Sequence, residues 1–128
     1  MANLDDNLTI ELDRTVAGGE GGYVPGEALT GLVRWSLSRE PVVVMVRLFW
    51  RTEGKGSGDS GLAGELKFEG LTGAGEQAFV FEGPDGPYSY SGKLVSVVWA
   101  VEAIASPGDE VARAELTLSP TGQEVRPA

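Results

Sequence analysis

The sequence predicts an all-β domain, a two-sheet antiparallel β-sandwich of about seven strands, and three features indicate it. Apolar and polar residues alternate with period two along most of the chain. Clusters of Gly and Pro interrupt this alternation at intervals of roughly 8–12 residues, the spacing typical of sandwiches. Val and aromatic residues dominate the apolar runs, and no stretch of helical length carries a Gly-free apolar stripe. A small closed barrel fits the same periodicity and stays open as an alternative architecture.

The first two strands are predicted at Asn7–Asp13 and Glu27–Leu37, with a Gly-rich loop at Ala17–Gly22 between them. Pro25-Gly26 precedes the second strand and has the composition of a tight turn, in which Gly26 adopts the positive φ of the third turn position. The residues of the second strand expected to face the core are Leu29, Gly31, Val33, Trp35 and Leu37.

The third predicted strand, Pro41–Thr52, is apolar on both of its faces. Its inward residues are Val42, Val44, Val46, Leu48 and Trp50. Its outward residues include Val43, Met45 and Phe49, beside Arg47 and Arg51. Because only one face can contact the core of the domain, the outward Val43, Met45 and Phe49 are predicted to bind a protein partner or a second copy of the chain. The alternative is that a loop of the same chain, at Gly54–Gly61 or Gly83–Pro87, covers them.

The remaining strands follow the Gly/Ser-rich loop Gly54–Gly61. They are predicted at Ala63–Leu71, Gln77–Glu82, Gly92–Ala105 and Glu110–Ser119. The inward residues of the Gly92–Ala105 strand are Val95, Val97, Trp99, Val101 and Ala103. Residues 1–128 are interpreted as a single domain, and the ends, about residues 1–6 and 120–128, are expected to fray.

The composition argues against several classes of function. The chain has 10 basic and 19 acidic residues, a net charge of −9, which argues against nucleic acid and anionic membrane surfaces as partners. It has no Cys and no His, which removes thiolate nucleophiles, Cys/His zinc sites and the usual proton-transfer residue. No apolar run approaches the ~20 residues needed to cross a bilayer. The beginning of the chain, Met1–Asp6, carries no signal-peptide features, so we expect a cytoplasmic protein. Because the chain lacks Cys and His, we also expect no cofactor.

Three short motifs have a chemical interpretation that the sequence does not support. Gly58-Asp59-Ser60-Gly61 matches the surroundings of a protease nucleophile, but the chain has no histidine to act as its base. Ser91-Gly92-Lys93 fits the end of a phosphate-binding loop, although Pro87 and Leu94 stand where Gly and Ser or Thr are required. A sandwich could gather several loop acids around calcium, but their spacing does not resemble an EF-hand loop. We interpret them as a solvated acidic surface. They are Asp5, Asp6, Asp85, Asp109 and Glu110. No catalytic, cofactor-binding or metal-binding residue is therefore assigned.

The positions of the aromatic residues indicate whether they pack in the core or form an exposed surface on which a ligand could stack. Trp35, Trp50 and Trp99 all fall on predicted inner faces, which favours core packing over a surface for stacking sugars. Tyr88 and Tyr90 follow the Pro/Gly loop and are the better candidates for exposure.

Two separated segments resemble the N-terminal domain of the arrestin family. Tyr23–Val33 carries an aromatic residue, Pro-Gly-Glu and then apolar residues alternating around a Gly, and Phe79–Ala103 leads from Phe-x-Phe through a Pro-rich loop to Gly-Lys and an alternating strand. The resemblance implies an immunoglobulin-like, arrestin-like sandwich and a broad role as an adaptor or scaffold, similar to arrestin-like trafficking proteins and bacterial sporulation-control proteins. Arrestins carry two such sandwiches and adjacent lysines in the first strand, whereas this chain has room for one sandwich and reads Leu8–Leu12 without lysine. Recognition of phosphorylated receptors is therefore not implied.

Two functions follow as hypotheses. The first is a non-catalytic protein-interaction domain, acting as an adaptor or scaffold through Val43, Met45 and Phe49. The second is a ligand-binding sandwich, for example one that binds carbohydrate through Tyr88, Tyr90 or an exposed tryptophan. The identity of the partner and the pathway are left open.

Overall fold

The computed structural model describes residues 7–13, 22–54, 58–91 and 95–119. Within these residues the chain is all-β, and eight strands form, one of which has only two residues. The strands are β1 Leu8–Leu12, β2 Ala28–Ser36, β3 Val42–Gly54, β4 Ser60–Leu71, β5 Ala74–Glu82, β6 Tyr90–Ser91, β7 Val95–Ser106 and β8 Glu110–Leu116.

The described strands build two antiparallel sheets. The smaller sheet has the order β1-β2-β5, and the larger sheet has the order β4-β3-β7, with β6 and β8 paired to different parts of the remaining edge of β7. The hairpins β3-β4 and β7-β8 lie in the larger sheet, whereas the connections from β2 to β3 and from β4 to β5 pass between the sheets. This is the sandwich that the sequence predicts, and the two separate sheets exclude the closed barrel.

The core lies between the sheets and is filled by alternate residues of the strands. The fully buried side chains include Leu29 and Val33 from β2, Val42, Val44 and Val46 from β3, and Trp99 and Val101 from β7. The indole Nε1 of Trp99 donates a hydrogen bond to the carbonyl oxygen of Pro87 at 2.5 Å, so its polar atom is satisfied inside the core. The predicted inward faces of β2, β3 and β7 are thereby confirmed at these positions.

Inward-facing glycines make room for aromatic rings of the core. A Cβ at Gly64 of β4 would lie 2.7 Å from the Phe81 ring of β5, and a Cβ at Gly75 would lie 3.0 Å from the Trp35 ring. Gly31 faces the Phe79 ring and Gly61 faces the Trp50 indole in the same way. Glycine in these strands therefore allows close packing of large rings that a side chain at the same position would exclude.

The predicted turn before β2 is confirmed. Gly26 has a φ of 82°, and the backbone N–H of Glu27 donates to the carbonyl oxygen of Val24 at 3.1 Å across Pro25-Gly26. Gly83 docks on this turn through two backbone hydrogen bonds, one to Gly26 and one to Glu27. The two segments that resemble the arrestin family are joined here and along the pairing of β2 with β5.

Several predicted boundaries were wrong because strand pairing extends beyond the apolar runs. The segment Gly54–Gly61 is not a loop over its whole length: β3 continues to Gly54, and β4 begins at Ser60. The strand predicted at Gln77–Glu82 begins at Ala74, since it pairs with all of β2. The last strand ends at Leu116, and beyond it Leu118 forms an isolated bridge with Tyr23. Most of Ala17–Gly22, the Gly92–Leu94 segment and the predicted frayed ends lie outside the described residues.

Candidate protein-interaction face

The outer face of the larger sheet contains the predicted binding residues Val43, Met45 and Phe49. They lie on β3, which is flanked by β4 on one side and β7 on the other, so that their side chains point away from the core. All three are partly buried by their neighbours on the same face. The structure therefore places them together as predicted, along one strand in the middle of a wide sheet.

The register of the strands arranges this face in rows. The first row, called the charged row below, has Glu65, Arg47, Glu102 and Arg113 directly opposite one another on β4, β3, β7 and β8. Apolar residues lie on both sides of the charged row. Met45, Ile104 and Val111 form one apolar row, and Leu62, Phe49 and Ala100 form the other.

Two ion pairs connect the charged row within the chain. The Nε of Arg47 lies 2.8 Å from a carboxylate oxygen of Glu65, and the Nη2 of Arg113 lies 2.5 Å from one of Glu102. The side chains of Arg47, Glu65 and Arg113 are 38%, 41% and 46% exposed, so these pairs contribute little to stability. Three of the four charges therefore remain accessible to an approaching molecule.

The apolar rows contain the most exposed large apolar side chains of this face. Leu62 is 60% exposed and Val111 is 57% exposed. The guanidinium carbon of Arg113 lies 5.6 Å from the centroid of the Phe49 ring, a cation–π distance. Phe49 and Leu62 also border a shallow depression of about 440 Å³ beside the charged row. The face thus combines exposed hydrocarbon with charges of both signs.

Several residues of this face were not predicted as part of the site. Leu62, Ile104 and Val111 come from strands other than β3, and Arg113 covers the Phe49 ring. The alternation along β8 could have indicated two of them. It places Val111 and Arg113 next to one another on the outward face of that strand.

The loops considered as covers for this face are held elsewhere where they are described. The backbone N–H of Asp59 donates to Thr52 Oγ1 at 2.8 Å, which holds the β3-β4 connection at the end of the hairpin. Gly83 bonds to Gly26 and Glu27, and the Pro87 carbonyl accepts the bond from Trp99. The residues 55–57 lie outside the described part of the chain.

The aromatic side chains provide little material for a stacking platform. Trp99 is fully buried, Trp35 is 5% exposed, and Trp50 is partly buried against the core. Tyr88 is 39% exposed, whereas Tyr90 is partly buried. Of the residues proposed for binding a sugar, Tyr88 is therefore the most exposed.

The short motifs fall at structural positions. Ser60 of Gly58-Asp59-Ser60-Gly61 is the first residue of β4, and its backbone N–H bonds to the Asp59 carboxylate at 3.0 Å. In the described residues, no three Asp or Glu side chains come together as a metal-binding group. Asp5, Asp6 and most of Ser91-Gly92-Lys93 lie outside the described part.

The outer face of the smaller sheet has a different electrostatic arrangement. Arg34 of β2 lies between Glu76 of β5 at 3.0 Å and Glu11 of β1 at 3.2 Å. The hydrogen bond that Arg34 donates to the Glu76 carboxylate and the attraction of Glu11 raise the pKa of the Arg34 guanidinium above its ordinary value. The charged side chain that β1 presents on this face is therefore the carboxylate of Glu11. The adjacent lysines that arrestins carry in their first strand are absent from Leu8–Leu12.

The fold is that of an arrestin-like β-sandwich. Its architecture is similar to that of Spo0M, the sporulation control protein from Bacillus subtilis, with a TM-score of 0.56 and 16% sequence identity. The similarity covers 88% of this chain and 49% of Spo0M, so the chain spans about half the length of that protein.

A β-glucosidase from Listeria innocua matches with a TM-score of 0.39 and 19% identity over 91% of this chain and 16% of the enzyme; at this score the likeness carries no argument. No protein-family model and no curated protein matches the sequence. Among the described residues, no helix has the length and apolar character needed to cross a membrane.

Proposed function

We propose that this domain is a non-catalytic protein-interaction module, an adaptor or scaffold of arrestin-like type, that binds through the outer face of its larger sheet. The observation that carries the proposal is the pair of apolar rows, exposed at Leu62 and Val111, on either side of the charged row. Interface centres combine aromatic and aliphatic residues with arginine, and this face has Phe49, Met45, Arg47 and Arg113 together.

The energetics favour an interaction at this face over solvent exposure. Removing the exposed parts of Leu62 and Val111 from water contributes about 1 kcal/mol or more for each side chain. The β3 residues Val43, Met45 and Phe49 add further apolar surface between them. Within each ion pair of the charged row the two charges neutralise each other, which lowers the desolvation cost of covering them with a partner.

The adaptor role and the cytoplasmic location that we propose are inferred from different features of the chain. The likeness to Spo0M supports the fold, and one sandwich fold serves many functions. The role is therefore inferred from the character of this face, and the compartment from the composition of the chain.

Carbohydrate binding is the second hypothesis and is less favoured. Sugar platforms usually need exposed aromatic rings, and the tryptophans contribute to the core instead. Tyr88 alone would have to supply the stacking surface that the hypothesis requires.

Variants at the exposed ends of the apolar rows test the proposal without disturbing the core. Immobilised wild-type protein, Leu62→Glu, Val111→Glu and the control Val80→Glu are each incubated with lysate of the source cells and with free wild-type protein. Val80 is 55% exposed on the outer face of the smaller sheet, which makes it a matched control. We expect Leu62→Glu and Val111→Glu to lose a bound protein that Val80→Glu retains. Binding that survives both substitutions, or that only Val80→Glu abolishes, would refute the assignment of this face.

A further inference from the structure

We infer that the partner of this face is a second copy of the same chain, packed face to face around a twofold axis that runs along the strands between β3 and β7. The inference rests on the proposed function, since it uses the same face. It adds the identity of the partner and the pairing of individual residues.

The charged row carries the inference because its charges alternate across the sheet. From β4 to β8 the order is Glu65, Arg47, Glu102, Arg113, which is negative, positive, negative, positive. When a row of four alternating charges is read in the reverse order, the charge at every position has the opposite sign. Two copies that meet with their rows reversed therefore place every charge against one of the other sign.

A twofold axis parallel to the strands produces this reversal. It passes between Arg47 and Glu102, and the order of strands in the second copy is then opposite to that in the first. Glu65 lies opposite Arg113 of the second copy, and Arg47 lies opposite its Glu102. An axis across the strands would instead place Glu65 against Glu65 and Arg47 against Arg47, which repel. The charges thus select one of the two in-plane axes.

The same axis keeps each apolar row opposite itself. Because the axis follows the strands, positions along the strands do not change, and each row of one copy faces the same row of the other. Met45 then lies opposite Ile104 of the second copy, and Phe49 lies opposite the small Ala100. Lys67 and Glu115 stand at the ends of these rows, so Val111 lies opposite Lys67 of the second copy and Leu62 lies opposite its Glu115. The charged row therefore lies at the centre of the interface, and the apolar contacts of Met45 and Phe49 lie on either side of it.

The overall charge of the protein does not prevent this association. The net charge of the chain is −9, but the outer face of the larger sheet is close to neutral. Of the six cations in the described residues, four lie on this face, facing five carboxylates. The cations are Arg47, Arg51, Lys67 and Arg113, and the carboxylates are those of Glu53, Glu65, Glu69, Glu102 and Glu115. The face is therefore the side on which two copies approach with least repulsion.

The size of the face indicates a reversible dimer. Four strands at the usual spacing are about 20 Å wide, and the seven residues of β3 from Val43 to Phe49 are about 23 Å long. This footprint is at or below the scale of a standard interface, which buries about 800 Å² on each partner. The dimer is consequently expected to dissociate on dilution.

A reciprocal charge swap tests the pairing. Arg113→Glu and Glu65→Arg each place like charges opposite one another twice in a homodimer, so each variant alone should dimerise at least about tenfold more weakly than the wild type. In a one-to-one mixture of the two variants the opposite charges are restored at both contacts. We expect a heterodimer within about threefold of wild-type affinity. Sedimentation velocity over a wide concentration range measures the affinities, and native mass spectrometry separates the heterodimer from the homodimers by mass.

Controls keep the test independent of folding. Far-ultraviolet circular dichroism and thermal unfolding establish that each variant is folded, and Arg113→Gln with Glu65→Gln repeats the test with no new like-charge contact. The formation of a heterodimer is itself a control, because each variant carries the same substitution when mixed as when alone.

Three results would overturn the inference. They are a wild type that stays monomeric, a dimer that neither swap weakens, and variants that weaken dimerisation but do not recover it when mixed. A monomeric wild type whose capture of a different protein is lost in Leu62→Glu and Val111→Glu would overturn the second copy as partner while supporting the proposed function. A dimer that neither the swaps nor Leu62→Glu weakens would contradict both, because Leu62→Glu places a carboxylate against Glu115 of the second copy.

Discussion

Gly64 and Phe81 illustrate how single residues in this domain determine packing across the two sheets. Gly64 lies on β4, an edge strand of the larger sheet, and the Phe81 ring of β5 occupies the space where its Cβ would be. The ring is close to the core and touches Phe79 at a centroid distance of 5.8 Å. A side chain at Gly64 would force the ring or the strand to move.

We expect Gly64→Val to destabilise the domain by about 1–3 kcal/mol, as overpacked core positions do. Gly58→Ala is the matched control, because a Cβ there meets nothing within 4 Å and its backbone has no positive φ. Urea unfolding of both variants measures the free energies. Equal stabilities of the two variants would mean that the Phe81 ring relaxes freely into other space.

Gly26 tests backbone strain separately from packing. Its φ is 82°, and a Cβ at this position meets nothing within 4 Å, so any cost of a side chain arises from the dihedral angle. We expect Gly26→Val to lower the free energy of unfolding by more than about 1 kcal/mol. Gly26→Asn should cost less, since Asn tolerates the left-handed region. If both variants unfold at the wild-type urea concentration, the turn does not stabilise the start of β2.

Trp99 is the largest fully buried side chain of the core. We expect Trp99→Ala to cost roughly 3–5 kcal/mol, because it creates a large cavity and leaves the Pro87 carbonyl without its donor. Trp99→Phe should recover much of the packing but not the hydrogen bond. Unfolding followed by circular dichroism gives both values, and a loss of less than about 1 kcal/mol for Trp99→Ala would contradict a packed core at this position.

At the scale of the strands, β3 has the greatest influence on both the fold and the proposed function. It pairs along most of its length with β4 and with β7, so it lies inside the larger sheet. A strand in this position packs against the core on one side, and its apolar outer residues remain beside those of its neighbours. The period-two pattern of the sequence was sufficient to predict Val43, Met45 and Phe49 as outward residues.

The charged row could not be predicted in the same way. It requires the pairing of residues from β4, β3, β7 and β8, and the chain between these strands visits the smaller sheet. Periodicity gives the face of each residue but not its partner across the sheet, which depends on register. The bulge between Leu48 and Phe49 further shifts the register, so that Leu62 comes to lie beside Phe49.

Tyr23 was missed for a related reason. Its side chain is fully buried, yet it lies between a Gly-rich segment and a turn, where the sequence shows no alternation. The structure buries it through an isolated bridge with Leu118 and backbone hydrogen bonds to Thr117 and Ser119. Contacts of such large sequence separation carry no local signal.

Substitutions along β3 and β4 should separate stability from binding. We expect Met45→Glu with Phe49→Glu to destabilise the domain by roughly 1–3 kcal/mol, because both side chains are partly buried and Phe49 also contacts the Arg113 guanidinium. Leu62→Glu should change stability by less than about 0.5 kcal/mol, since Leu62 is 60% exposed. Thermal unfolding at low protein concentration compares them. A large loss of stability for Leu62→Glu would show that Leu62 is needed for the fold of the monomer.

At the scale of the whole molecule, charge is distributed unevenly over the sandwich. Both signs are interleaved on the outer face of the larger sheet, with four cations and five carboxylates, whereas the other described residues carry two cations and ten carboxylates. The composition predicted an acidic protein that avoids nucleic acid and membrane. The fold adds the location of a nearly neutral face, on which the proposed dimer would form against the least repulsion.

This distribution predicts an unusual dependence of dimerisation on salt. Two copies with a net charge of −9 repel each other over distances that are long compared with the contacts of the charged row. The screening length falls from about 30 Å at 0.01 M salt to about 8 Å at 0.15 M, so salt removes this long-range repulsion first. Pairs such as Arg47 with Glu102 of the second copy become partly buried on association and are screened much less.

We therefore expect the affinity of the dimer to rise by roughly tenfold between these two salt concentrations. Sedimentation equilibrium in sodium chloride measures it, and the control is the heterodimer of Arg113→Glu with Glu65→Arg, whose total charge equals that of the wild-type dimer. An affinity that falls steadily over this range would mean that attraction between the charged rows, and not repulsion between the acidic surfaces, dominates association.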